Sequence, residues 1–250
     1  MTDSVNENEK PTGNKQFWAI VPAAGVGKRM QADRPKQYLE INNTTVLEHT
    51  LNRLLCVPKI CGVVVSISEG DAYWPELNYQ STKPVLLAKG GSERSDSVLN
   101  ALLKLENTCL KTNTGADSVW ALVHDAARPC VRIEDIERLI EKAGHNENGG
   151  LLALPVRDTM KRDNQQGQVA QTVDREGLWH ALTPQMFRLD LLLKALQGAQ
   201  DNQLAITDDA SAMEMAGYCP QLIEAHEDNI KITRAFDLQL ATLYLQYQNS

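Results

Sequence analysis

The sequence predicts an α/β fold: a Rossmann-like, mostly parallel sheet with helices on both faces, and a β-arm that protrudes from it. Three observations carry that prediction. From Phe17 to Leu154, short apolar runs rich in β-branched residues alternate with segments of helical period. Those runs are apolar throughout rather than every second residue, as strands buried on both faces require. Between Pro155 and about His180 the alternation breaks into a polar stretch carrying Arg157, Lys161, Arg162 and Arg175, too long for a structureless loop in a compact domain.

In chain order, Phe17–Val21 reads as the first buried strand, followed by a helix near Val46–Leu55. Val63–Ile67 and Val85–Ala88 are the second and third strands. After Gly90-Gly91, Val98, Leu102 and Leu105 fall at i, i+4 and i+7, one face of a helix. Val119–Val123 is the fourth strand. Ile133, Ile136 and Ile140 form one helical stripe ending near Gly144, and Leu151–Leu154 is the fifth strand. Within 155–180, a short strand at Val169–Val173, Trp179 and spaced Val and Leu residues favour an ordered, hairpin-like arm over a disordered insertion. Helices follow near Met186–Leu196 and Asp208–Ala216, then a strand near Leu222–Glu224. The final helix carries Phe236, Leu240, Leu243 and Tyr247 on one face. No internal repeat is present. Residues 1–16 are polar and read as a disordered or frayed tail. Residues 17–250 read as a single domain, with the arm at about 155–180.

At 250 residues, 42% hydrophobic and 23% charged, the chain can bury one sizeable core and has the composition of a soluble globular protein. No apolar run approaches the roughly 20 residues that span a bilayer. The tail has no hydrophobic signal core, so the expected location is cytoplasmic. A net charge of −7, from 25 basic and 32 acidic residues, argues against a broad nucleic-acid surface. A polyphosphate ligand would have to be met locally, by a few placed cations and backbone donors. The cysteines (56, 61, 109, 130 and 219) are odd in number and form no Cys-x-x-Cys pair, so they read as free thiols. The histidines form no His-x-x-x-His pair, which leaves no protein-made zinc site.

Sheets of this kind bind ligands beyond the carboxyl ends of their strands, so the loops there carry the functional argument. After the first strand comes Pro22-Ala23-Ala24-Gly25-Val26-Gly27-Lys28-Arg29-Met30. Small residues let a backbone pass close to a ligand, and two cations stand where a helix would begin. The stretch is either an ordinary strand-to-helix turn or a phosphate cradle, and the cations favour the cradle. It is not the ATPase P-loop, whose glycines are separated by four residues, nor the dinucleotide fingerprint, which needs a third glycine where Met30 stands. Pro35 fixes the backbone ahead of Lys36 and aims a second cation at the same place.

Gly90-Gly91 and the hydroxyls after it lie between a strand and a helix. Ser92 and Ser95 suit helix capping or ligand contact, and Ser97 is the better ligand candidate. Asp125, in His124-Asp125-Ala126-Ala127-Arg128-Pro129, follows a buried strand, where an acid can meet Mg²⁺ or a ribose hydroxyl. Asp125 and Arg128 can equally form a structural ion pair. Thr207 reads as the N-cap of a helix with Asp208 and Asp209 in its first turn. Lys231, ahead of a helix that Thr233 can cap, is fixed by apolar neighbours at the sheet end. No nucleophile–base pair and no Gly-x-Ser-x-Gly elbow is present. Cations, glycines and one or two carboxylates suit phosphoryl or nucleotidyl transfer, in which catalysis is positioning and charge stabilisation.

Taken together, these residues resemble the 2-C-methyl-D-erythritol 4-phosphate cytidylyltransferase family over nearly the whole chain beyond the tail. The marks are Pro22 to Met30, Pro35-Lys-Gln-Tyr38, Gly90-Gly91 with Arg94 and Ser97, and Val123 to Pro129. Further on come Pro155-Val-Arg-Asp-Thr-Met-Lys161, Thr172-Val-Asp-Arg175, Leu182-Thr-Pro-Gln185 and Asp228-Asn-Ile-Lys231. The resemblance implies a nucleotidyltransferase-type fold and a reaction of CTP with 2-C-methyl-D-erythritol 4-phosphate. The products would be 4-diphosphocytidyl-2-C-methyl-D-erythritol and pyrophosphate, with Mg²⁺ as cofactor. It also implies a homodimer whose arms reach into each other's active sites. By the same resemblance, Arg29 and Lys36 stabilise charge at the α-phosphate, and Pro22, Ala23, Ala24, Gly25 and Gly27 wrap the triphosphate. Gly91 and Ser97 meet the cytosine, while Asp125, Ala126 and Arg128 line the ribose, metal and substrate side. Arg175 and Lys231 hold the acceptor phosphate, and Thr159 contacts substrate in the neighbouring subunit. Mg²⁺ would sit mainly on phosphate oxygens, with Asp125 as the candidate protein ligand. Two rivals stand beside this reading: a cytidylyltransferase for another polyol phosphate, such as ribitol 5-phosphate, and a nucleotide-binding module without turnover.

Overall fold

A computed structural model describes residues 15–25, 34–112 and 114–248. The tail before Lys15 and the loop residues Gly27 and Arg29 therefore lie outside the described residues. The elements run β1 (Gln16–Pro22), β2 (Glu40–Ile41), β3 (Thr44–Thr45), α1 (Val46–Cys56), β4 (Ile60–Ile67), α2 (Tyr73–Glu76), β5 (Val85–Lys89), α3 (Arg94–Lys111) and β6 (Val119–Val123). They continue through α4 (Ile133–Ala143), β7 (Gly150–Pro155), β8 (Met160–Asp163), β9 (Val169–Val173), β10 (Trp179–Arg188), α5 (Leu189–Asp201), α6 (Asp209–Met215), β11 (Gln221–Glu224) and α7 (Ala235–Gln248).

Seven strands form one sheet in the order β11-β7-β10-β6-β1-β4-β5. β1 is parallel to both neighbours, β4 and β6, and β4 is parallel to β5. The chain leaves β1 toward one side of the sheet and later returns to its other side. The crevice where that direction reverses, beyond the end of β1, is where doubly wound sheets bind ligands. Successive β1 side chains point to opposite faces. Phe17, Ala19 and Val21 pack with Leu47, Leu51, Ile136 and Leu139 under α1 and α4. Trp18 and Ile20 pack with Val98, Leu102, Leu192 and Met213 under α3, α5 and α6. The α/β class and its two-faced sheet are thus as the sequence predicts. Gln16, counted with the tail, already belongs to β1, and Lys15 Nζ donates to the Gly144 carbonyl.

Two elements differ from expectation. Met186 to Arg188 are not helical: they end β10, which runs antiparallel between β6 and β7. Met186 and Phe187 are fully buried against β6, and a register shift between Ala181 and Gln185 accommodates Pro184 and hides the strand's period from sequence. The N-cap of α6 is Asp208, not Thr207. Its carboxylate accepts from Ser211 N–H at 2.9 Å while Ser211 Oγ accepts from Asp208 N–H. On α7, the stripe of Phe236, Leu243 and Tyr247 faces outward, at 70%, 62% and 73% exposure. Ala241 and Leu245 turn inward instead, onto Cys130, Ala127 and Ile232. Between β7 and β10, β8 and β9 form a separate two-stranded antiparallel sheet. All five cysteines are free, with Cys109 and Cys130 buried and Cys56 and Cys219 exposed. Among the described residues no helix is long and apolar enough to cross a membrane.

Candidate active site

A cleft of about 660 Å³ opens at the carboxyl ends of β1, β5 and β6. It gathers Pro22, Ala23, Ala24, Gly25, Lys36, Gly91, Ser97, Asp125, Ala126 and Lys231, ten of the residues that the sequence singles out. Arg128 is buried directly behind Asp125. Arg175 and Thr159 are not brought into this cleft. Thr159 is exposed next to β8, and Arg175 lines a separate recess with Pro155, Asp174 and Trp179 while donating to the Arg157 carbonyl.

The centre of the cleft is Asp125, delivered by the end of β6. Its Oδ1 accepts from Arg94 Nε at 3.0 Å, and its Oδ2 accepts from Lys231 Nζ at 2.9 Å and Arg128 Nε at 3.3 Å. Burial opposes ionisation of Asp125. The opposing charges of Arg94, Lys231 and Arg128 outweigh it and hold the carboxyl well below the usual carboxylate range. Arg94 is fixed from behind by Asp209, whose Oδ2 accepts from Arg94 Nη2 at 2.8 Å. Burial disfavours the Arg94 cation too, but Asp209 and Asp125 more than compensate, so it stays charged. Asp209 is 1% exposed, its Oδ1 has no partner among the described residues, and burial pushes its carboxyl upward despite Arg94.

His124 supports this centre as a neutral imidazole. Burial pushes it down to about 4. Its Nε2 lies 3.0 Å from the Arg128 carbonyl, which only accepts, so Nε2 carries the proton. Nδ1 then accepts from the Thr183 hydroxyl at 3.0 Å, and that same oxygen accepts from Asp125 N–H at 3.1 Å. The loop bearing Lys231 is stitched to the sheet by its backbone. Arg128 Nη1 donates to the Asn229 carbonyl at 2.7 Å and Ile232 N–H donates to the Ala127 carbonyl at 2.9 Å. Lys36 Nζ donates to the Ile232 carbonyl at 3.0 Å, and Lys36 and Lys231 both line the cleft.

In the Gly91 loop, where the sequence left Ser92 and Ser95 open between helix capping and ligand contact, the cap is made by neither serine. Asp96 Oδ2 accepts from Glu93 N–H at 3.0 Å and Ser92 Oγ at 2.6 Å, closing a capping box at the start of α3. Ser97 Oγ accepts from Gly91 N–H at 3.0 Å and donates to the Glu93 carbonyl at 3.1 Å, so it shapes the loop. The acid–arginine pair left open by the sequence exists, but as one corner of a larger cluster. Sequence reasoning reduced Asp209 to a helix-start acid. The usable signal was the doubled Asp208-Asp209, since one acid suffices for the cap and the other needs a cation.

Among the described residues, no cluster of three or more His, Cys, Asp or Glu could hold a metal ion by itself. The carboxylates lining the cleft are Asp125, both of whose oxygens are already engaged by cations, and Glu93 at the start of α3. This donor set fits Mg²⁺ carried by substrate phosphates, the ion's common habit at nucleotide sites.

Comparison with known proteins converges on one family. The sequence profile described as 2-C-methyl-D-erythritol 4-phosphate cytidylyltransferase matches residues 17–247. A protein of that name from Vibrio vulnificus (strain YJ016) is 53% identical over 227 residues, covering 91% of this chain and 93% of its own. A crystal structure described as 4-diphosphocytidyl-2C-methyl-D-erythritol synthase has TM-score 0.79 at 38% identity, covering 92% of this chain and 99% of its own. The 2-C-methyl-D-erythritol 4-phosphate cytidylyltransferase of Francisella tularensis has TM-score 0.78 at 35% identity, covering 92% and 100%.

Proposed function

The chain belongs to the 2-C-methyl-D-erythritol 4-phosphate cytidylyltransferase family, and from that premise we propose how its residues divide the reaction. It is a nucleotidyltransferase that transfers CMP from CTP to 2-C-methyl-D-erythritol 4-phosphate in isoprenoid precursor biosynthesis. The observation that carries the division of labour is the cluster of Arg94, Arg128 and Lys231 on Asp125, with Lys36 alongside, facing the small-residue loop Pro22–Gly25.

The acceptor's phosphate oxygen is already anionic, so no general base is needed to make the nucleophile. It attacks the α-phosphorus of CTP, the new P–O bond forms as the bond to pyrophosphate breaks, and pyrophosphate departs in line. Charge grows on the α-phosphate oxygens, and Lys36 and Arg29 stabilise it. The backbone of Pro22, Ala23, Ala24, Gly25 and Gly27 lies along the triphosphate. Gly91, in the loop that Ser97 shapes, borders the cytosine. Lys231 and Arg175 grip the acceptor phosphate, and Asp125 with Ala126 and the buried Arg128 sets the position of Lys231. Mg²⁺, when bound, would supply charge neutralisation to the triphosphate, and Asp125 is the carboxylate that would hold it. The enzyme works in the cytoplasm as a homodimer in which Thr159 and Arg175 of one hairpin serve the partner's cleft. The exposed hairpin side chains support that arrangement.

The test is pyrophosphate release with CTP and Mg²⁺ against a panel of acceptors. Turnover is expected with 2-C-methyl-D-erythritol 4-phosphate and little with ribitol 5-phosphate. Preference for ribitol 5-phosphate would reassign the acceptor, and CTP binding without turnover on any acceptor would make the protein a nucleotide-binding module.

A further inference from the structure

We infer that Gln37 and Ser68 are positioning residues for the triphosphate, acting through the backbone of the small-residue loop. Gln37 Nε2 donates to the Ala23 carbonyl at 2.6 Å, and Ser68 Oγ donates to the Ala24 carbonyl at 2.9 Å. Two successive carbonyls are therefore tied to side chains from different elements. A peptide plane is rigid, and in the trans form its N–H points opposite to its C=O. Fixing the Ala23 carbonyl fixes the direction of the Ala24 N–H, and fixing the Ala24 carbonyl does the same for the Gly25 N–H. A third constraint acts between them: a Cβ on Gly90 would lie 2.2 Å from Ala24 Cβ, so Ala24 is seated on the bare backbone of Gly90.

The supports are themselves rigid. Gln37 is 3% exposed and stands in the 3-10 turn Lys36–Tyr38. Tyr38 anchors that turn by stacking on Tyr73, with ring centroids 5.1 Å apart, and by donating to Asp71 Oδ2 at 3.0 Å. One turn thus sends a cation to the cleft from Lys36 and an amide to the cradle from Gln37. The cradle is preorganised for an anion: its carbonyls are occupied and its N–H groups are set before the nucleotide arrives.

This inference rests on the CTP reading and is tested apart from it, by calorimetric binding of Mg²⁺–CTP without acceptor and by separate KM values for the two substrates. Gln37→Met keeps the length and deletes the donor, and Ser68→Ala deletes the hydroxyl. Each is expected to weaken CTP binding about 3- to 10-fold, the scale of one lost hydrogen bond. The acceptor KM should stay unchanged. Gln37→Glu, which sets a carboxylate against a carbonyl, should do worse than Gln37→Met, and Ser68→Thr should restore binding. Should Gln37→Met fail to fold, the half-buried Ser68 pair carries the test. Wild-type CTP affinity in folded Gln37→Met and Ser68→Ala overturns the inference, as does an equal rise in both KM values, which marks general loosening. Wild-type protein that binds no CTP removes the parent reading itself.

Discussion

Arg94 bridges two carboxylates of opposite character: it holds Asp125 at 3.0 Å on the cleft side and Asp209 at 2.8 Å on the buried side. Asp209 makes no appearance in the cleft, yet it decides where the Arg94 guanidinium stands. Asp209→Ala is expected to cost about 3 kcal/mol of folding stability, because it leaves a largely buried cation with one partner fewer. Asp209→Asn should cost less. A urea midpoint equal to wild type for Asp209→Ala would show that water replaces the carboxylate freely.

Lys36→Ala and Arg29→Ala should each lower kcat by about two to three orders of magnitude, the usual effect of losing a preorganised charge stabiliser. Circular dichroism should remain native-like. Near-normal turnover in either purified variant removes that residue from the catalytic role.

Gly90→Ala tests the seat of the cradle. The added methyl meets Ala24 Cβ at 2.2 Å and the Ile67 carbonyl at 3.1 Å, and neither is the end of a flexible side chain. The loop must shift, at about 1–3 kcal/mol, and CTP binding should weaken more than acceptor binding. Equal affinity for CTP in the folded variant would mean the loop's position does not matter.

His124 gives a pH dependence with a definite sign. Its folded value of about 4 lies below the ordinary 6.5, so the unfolded chain binds the proton first. The stability it contributes is full above pH 6.5 and is lost as pH falls toward 4, by roughly 3 kcal/mol in all. Asp125 is also depressed, but from a lower starting value, so its contribution is lost at still lower pH. Buried Asp209 acts in the opposite sense. Denaturant unfolding of wild type and His124→Asn between pH 7 and 4.5 cancels what the carboxylates share. The wild-type loss should exceed the variant's, and parallel curves would mean His124 is not neutral in the fold.

Arg175 stands on the hairpin side, outside the cleft of its own chain. Arg175→Ala should chiefly weaken use of the acceptor. If the hairpin serves a partner, mixing inactive Lys36→Ala with Arg175→Ala after dissociation should restore turnover, since some dimers then contain one intact cleft. No recovery on mixing would place Arg175 in its own chain's site.

Much of this fold and site is legible in the sequence because it depends on local pattern. Buried parallel strands are continuous apolar runs, and the loops after β1, β5 and β6 carry glycines, a cation or an acid where a doubly wound sheet puts its ligand. β10 escaped because Pro184 and a register shift interrupt its period. Asp209 escaped because its partner lies 115 residues away in the chain, so sequence shows a helix-start acid and only the fold shows an ion pair. The outward stripe of α7 has helical spacing but not the burial that such spacing usually signals. A period identifies a face without saying which side the core lies on.

The wall around Asp125 is completed by the segment between β11 and α7, where Ile232 N–H binds the Ala127 carbonyl and Lys231 reaches Asp125. That connectivity imposes a schedule on biosynthesis. Chains emerge from the N-terminus first, so the cradle and the β1–β6 core can form while Asp125 still lacks its third cation. A ribosome-bound or prematurely terminated chain ending before Asp228 would carry a nearly complete nucleotide seat and no second half. Catalytic competence waits for the segment that carries Lys231.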